Sequence, residues 1–163
     1  MFRTVTLTTM SLLLLVVALS AGDAAEQTAK DLVGAWTLVS VTVEQGDKKV
    51  ELFGPNPNGS LMLDGNGHFS IMVVRPGLPK FASNNRAAGT AEENKQGTLA
   101  YFGTYSVSEA DRMISMHIEG STFPNWNGTE QKRLFTLAGN QLTLTNPTGS
   151  VSGTTQIVWR RAK

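Results

Sequence analysis

The sequence contains no cysteine. That excludes disulfides, thiol nucleophiles and thiolate metal ligands, and leaves no N-terminal cysteine for a lipid. It contains only two histidines, His68 and His117. They do not show the close spacing of a catalytic zinc site, so no metal or other cofactor is expected. No G-x-S-x-G elbow is present to hold a serine nucleophile. Lysines and arginines form no cluster, so nucleic acid and anionic membrane are poor candidates as partners. There is also no apolar run of roughly 18 residues, the length a membrane-spanning helix needs.

One shorter apolar run is there. Met10 to Leu19 (MSLLLLVVAL) follows Arg3 and precedes Ser20, Ala21 and Gly22. A positive start, a short apolar core and small residues after it are the pattern of a secretory signal peptide. Residues 1–22 are therefore expected to be a signal peptide, with cleavage between 20 and 25. Residues 23–31 would be a polar extension, and 32–163 one domain. The expected location is secreted or periplasmic, with no membrane anchor after cleavage. With Arg3 set aside, 13 basic residues face 13 acidic ones. The remaining chain is long enough to bury one core unaided.

The domain reads as short strands separated by turns. Ala35–Glu44, Lys49–Phe53, Ser60–Leu63, His68–Val74, Tyr101–Val107, Arg112–Glu119, Glu130–Leu137, Gln141–Thr145 and Thr154–Arg160 carry the β-branched and alternating patterns of strands. Asp64-Gly65-Asn66-Gly67 is a hairpin signal, since Gly and Asn tolerate positive φ. Thr90-Ala91-Glu92-Glu93 is a capping box and predicts a short helix to about Leu99. The fold class is all-β. Eight or nine antiparallel strands at this spacing predict an up-and-down barrel with one short helix, closed so that no edge is left exposed.

Specific stretches support this. Gly34-Ala35-Trp36 opens the first strand and Trp159-Arg160 lies on the last. Phe53-Gly54-Pro55 through Gly59, Asp64 through Ser70, Arg75-Pro76, Tyr101-Phe102-Gly103-Thr104-Tyr105 and His117 through Arg133 add to the pattern. From Leu32 to Pro147 the chain resembles the bacterial and fungal lipocalin-like domain family. The resemblance implies a small barrel in which a glycine and tryptophan of the first strand, here Gly34 and Trp36, meet a basic residue of the last at the closed end. That residue is Arg160 or Arg161; alternation lets only one face inward. Family members often carry adjacent histidines where this chain has Met116 and His117.

Several residues could carry a function. On Arg112–Glu119 one face is Ile114, Met116 and Ile118, and the other holds His117 and Glu119. Packing puts the apolar face inward and His117 outside. A ligand cavity, which needs some polar lining, would turn His117 in, where it is the one candidate catalytic acid or base. Glu119 lies about 6.5–7 Å along the strand, too far for a well-made dyad. Gln131, Arg133, Phe135 and Leu137 share a face. If it points inward, the guanidinium needs a partner: a protein carboxylate, or the carboxylate of a bound lipophilic acid. Tyr101 and Tyr105 flank Gly103 on one face and suit a cavity wall. Phe123 and Trp126 sit in a loop stiffened by Pro124 and could cover one end.

The residues Tyr101, Tyr105, His117, Phe123, Trp126, Arg133 and Phe135 thus form the candidate ligand-binding set. Three functions compete. One is an exported protein holding a small apolar molecule or lipophilic acid inside the barrel. A second is an isomerase or hydrolase working in the cavity through His117. The third is a filled barrel that binds a protein partner through Phe123 and an exposed Trp126.

Overall fold

The computed structural model describes residues 28–83, 97–147 and 151–163. The signal peptide, most of the polar extension and residues 90–96 of the expected helix lie outside the described residues. Among the described residues nine strands follow a single turn of helix, α1 (Ala29–Leu32): β1 (Gly34–Gln45), β2 (Lys48–Glu51), β3 (Asn58–Leu63), β4 (His68–Val74), β5 (Thr98–Ser108), β6 (Met113–Ser121), β7 (Glu130–Ala138), β8 (Gln141–Asn146) and β9 (Thr154–Arg161). Thr98 and Leu99, expected at the end of a helix, instead open β5.

Every strand from β3 to β9 pairs antiparallel with its neighbour in sequence, and β1 pairs with both β3 and β9. Eight strands thus close into a barrel. β2 is an extra hairpin strand on the far half of β1, pairing Thr42 to Gln45. Its four residues are all exposed.

Alternation sets the inside of the barrel, and two bulges reset it. Trp36 and Leu38 face inward at the start of β1. Beyond the register shift between Leu38 and Ser40, the inward residues are Val41 and Val43. A second shift lies opposite Phe102 and Gly103: Gly103 pairs with Ile118, but Phe102 pairs with Gly120. Glu119 is the extra residue, so Ile118 and Ser121 both belong to the inner face. A bulge of this kind bends the strand and re-aims the side chains beyond it.

Among the described residues the barrel is packed in its middle and holds a cavity near one end. Leu61, Leu63, Ile71, Ile114, Met116, Phe135, Leu142 and Leu144 fill its middle, each 2% exposed or less. Three of the β6 residues, Ile114, Met116 and Ile118, are completely buried. At roughly 2 kcal/mol for each such side chain, that burial decides the face of β6 and leaves His117 in solvent.

The closed end is built around Trp36. Its Nε1 donates to the Leu32 carbonyl at 2.9 Å, so α1 lies across the barrel floor. Leu32 is completely buried beneath it. The Asp31 carboxylate accepts from the Thr28 backbone N–H at 2.8 Å and from its hydroxyl at 2.9 Å, which fixes the first turn. Those hydrogen bonds hold the Asp31 carboxyl below its ordinary range. Arg161, not Arg160, covers Trp36, with Cζ 4.1 Å from the ring centre. It also donates from Nη1 to the Val33 carbonyl at 3.0 Å and from Nη2 to the Asp31 carbonyl. The reason is alternation: Ile157 and Trp159 point inward, so Arg161 follows them and Arg160 is exposed.

Candidate functional site

At the other end, strand ends and loops surround a cavity of about 70 Å³. The inner faces of β1, β4 and β9 give it Val41, Val73 and Ile157. β5 gives Leu99 and Tyr101, β7 gives Arg133 and β8 gives Asn146. The chain after β2 adds Leu52 and Phe53, and the loop after β6 adds Trp126. The wall is mostly apolar, with a cation and a few polar groups, as ligand sites usually are. The volume holds a few waters. It is smaller than the roughly 300–1,000 Å³ of pockets for drug-sized ligands.

Arg133 is the unusual group. It is 3% exposed. One nitrogen, Nη2, donates to Gln131 Oε1 at 2.6 Å. Nε and Nη1 are buried and have no hydrogen-bond partner. No carboxylate pairs with it among the described residues, so the expected protein counter-ion is missing. The remaining support is the Tyr101 ring, whose centre lies 5.6 Å from Cζ. Such a cation–π contact offsets only part of the cost of removing a charge from water.

Backbone pairing explains how the strands deliver this group. Ile114 pairs with Arg133 on β6 and β7, and Ile114 is completely buried. A residue opposite an inward isoleucine must itself point inward. Leu134 pairs with Thr145, so the next step brings Arg133 level with Asn146.

A chain of rings leads from the surface to the core. Phe123 meets Trp126 edge-on at 5.6 Å, Trp126 meets Tyr101 at 5.2 Å, and Tyr101 meets Phe69 at 5.9 Å. The loop carrying the first two is tied down by its backbone. Thr122 N–H donates to the Ala100 carbonyl at 2.8 Å, Gly128 N–H to Ile118 at 2.7 Å, and Ile118 N–H to Thr129 at 2.9 Å. A single turn of 3-10 helix, Pro124–Trp126, then turns the indole toward the cavity.

The seven candidate residues therefore divide. Tyr101, Trp126 and Arg133 converge on the cavity. Phe123 is 40% exposed and touches it only through Trp126. Phe135 is buried one inward step deeper, in the packed core. Tyr105 lies at the wrong end: its hydroxyl donates to the Asp64 carbonyl at 2.6 Å beside the closing turn. Four residues along a strand cover about 13 Å, so Tyr101 and Tyr105 share a face without sharing a site. Burial, and then the Asp64 charge, push the Tyr105 hydroxyl up from its ordinary pKa.

His117 is exposed, opposite Thr104 and Glu130 on the outer surface. It borders neither the mouth cavity nor the larger surface grooves. Glu119 does not hydrogen-bond to it. The geometric motive for acid–base work by His117 is gone, and so is its place in the ligand set. Trp126 is not a free surface anchor either, since Tyr101 and Phe123 hold it on two sides.

Two contributors are not evident from the sequence. Gln131 lies on the correct face but has no role until its amide meets Arg133. Asn146 continues the inward series Leu142 and Leu144, one residue beyond the expected end of its strand.

The 4'-hydroxy-3'-methoxypropiophenone carrier protein of Aspergillus oryzae is 33% identical over 84 residues, covering 46% of this chain and 76% of the relative. A lipocalin-like protein from Bacteroides uniformis superposes with a TM-score of 0.47 at 16% identity, over 81% of this chain and 99% of the other. The fluorescent protein UnaG superposes with a TM-score of 0.38 at 12% identity, over 83% of this chain and 100% of the other. The lipocalin-like domain pattern matches residues 33–162, every strand from β1 through β9. The chain belongs to the lipocalin-like domain family.

Proposed function

We propose that this protein is an exported carrier that holds a small lipophilic acid at the mouth of its barrel, with the acid's oxygen on Arg133. The observation that carries the reading is the buried guanidinium with two nitrogens that bond to nothing. A carboxylate or acidic phenolate would satisfy them with charge-assisted hydrogen bonds. Gln131 keeps the fork oriented, and Tyr101 and the aliphatic wall receive the apolar part. The Aspergillus oryzae relative is named as a carrier of an aryl ketone with a phenolic hydroxyl. A ring edged with oxygens is the kind of ligand these side chains suit. Export rests on the apolar run at residues 10–19.

The test is a titration of benzoate, phenylacetate and decanoate, each beside its neutral amide, followed by tryptophan emission and melting temperature. The acids should raise the melting temperature and change the emission; the amides should bind at least about tenfold more weakly. Arg133→Met should remove the preference. A panel that leaves both readouts unchanged would remove this reading.

A further inference from the structure

The mouth cavity is too small for the ring of such an acid, yet its walls are those of a ring site. One wall is itself a ring carried by a loop. Trp126 is partly buried and sits on a one-turn helix in a surface loop, not on a strand. Its indole meets Tyr101 edge-on, with centres 5.2 Å apart at 80°. The same Tyr101 ring carries the Arg133 guanidinium at 5.6 Å. So the indole already occupies the place beside Tyr101 and near the guanidinium with two unbonded nitrogens, where the apolar part of an acid would have to lie. Packing alone holds the side chain there, against Tyr101, Phe123 and the edge of the core. Among the described residues the loop's hydrogen bonds are made by backbone groups and the Ser121, Thr122 and Thr129 hydroxyls, and none comes from the indole.

We propose that Trp126 is a built-in plug occupying an aromatic subsite, and that the ligand is an aromatic acid of indole size whose ring replaces it. This rests on the acid-carrier reading and adds to it the size and shape of the apolar part. The strand-borne walls, Val41, Val73, Leu99 and Ile157, cannot withdraw without breaking the barrel. The indole can turn out about its own side-chain bonds while the loop keeps its backbone anchors at Ala100 and Ile118. The incoming ring would inherit the edge-on contact with Tyr101. Its acidic arm would reach Nε and Nη1 of Arg133, and the displaced indole would meet water beside Phe123.

The plug and the anion anchor can be tested apart. Trp126→Ala and Trp126→Val are made in the full chain, and the probes are indole and indole-3-acetate. Indole should raise the melting temperature of both variants and leave the wild-type protein unchanged, because only the variants offer the ring site free. Indole-3-acetate should bind Trp126→Ala about tenfold tighter than wild type, the order expected from losing one or two edge-on ring contacts of a competitor. Indole leaving both variants unshifted would overturn the inference. So would weaker binding of indole-3-acetate to Trp126→Ala, which would make Trp126 a wall the ligand needs. If indole stabilises the variants but indole-3-acetate binds them no tighter than indole, the ring subsite stands and the acid reading falls.

Discussion

Arg133 costs the fold something at rest. A charged group 3% exposed, with one amide oxygen and one aromatic ring for company, has lost more hydration than these contacts return. Trp159 Nε1 is also buried without a partner, but it is neutral and its cost is of the smaller, uncharged kind. Replacing Arg133 with methionine keeps most of the volume and removes the charge. The expected result is a protein more stable by about 1–4 kcal/mol in urea unfolding, and unable to prefer acids over amides. A loss of stability instead would mean that the guanidinium has a counter-ion. The sequence put Arg133 on an apolar face, because strand alternation is local. It could not identify the partner, since Gln131, Tyr101 and the missing carboxylate depend on how three strands and a loop come together.

Among elements, the strands were legible and the bulges were not. All nine expected strands form, and their bounds differ mostly by a few residues at the ends, where pairing with a neighbour extends them. Bulges depend on cross-strand register, which leaves little trace in one sequence. Gly103 is the exception once the register is known. A Cβ at that position would run into the carbonyl of His117, where β6 carries its extra residue. Gly103→Ala should therefore cost about 3 kcal/mol or more, toward the upper end of single-residue effects, whereas most exposed strand positions would tolerate the change. Thermal unfolding of the variant checks this, and a loss under about 1 kcal/mol would mean the bulge relaxes easily. The last strand makes a cleaner contrast. Arg161→Ala removes a cation–π contact and two hydrogen bonds to the α1 segment and should cost about 2 kcal/mol; Arg160→Ala should stay within about 0.5 kcal/mol. The family pattern named a basic residue here, and only the inward run of Ile157 and Trp159 decides which.

For the molecule as a whole, the two ends differ in chemistry. The mouth holds the buried cation, while the closed end holds two carboxylates with lowered pKa, Asp31 and Asp64. Asp31 is held down first by the Thr28 backbone N–H, and Asp64 first by the backbone N–H of His68, helped by Asn66 and the His68 ring. A carboxylate whose folded pKa lies below its unfolded one stabilises the fold above the unfolded value. That contribution is lost as pH falls through the folded one. Stability should therefore decline with acid across and below the ordinary carboxylate range. Asp31→Asn should flatten the decline while lowering stability at neutral pH. Urea midpoints measured at a series of pH values would show it, and parallel curves for the two proteins would refute it.

The seam between β1 and β9 has a practical consequence. Ala162 donates its N–H to the Ala35 carbonyl at 2.9 Å, so the last described residues lie beside the first strand, on the barrel floor. A tether or reporter fused after Lys163 would leave the molecule from the face opposite the cavity. An immobilised sample would then stand mouth-outward, with Trp126 and the way to Arg133 turned toward the solution rather than the support.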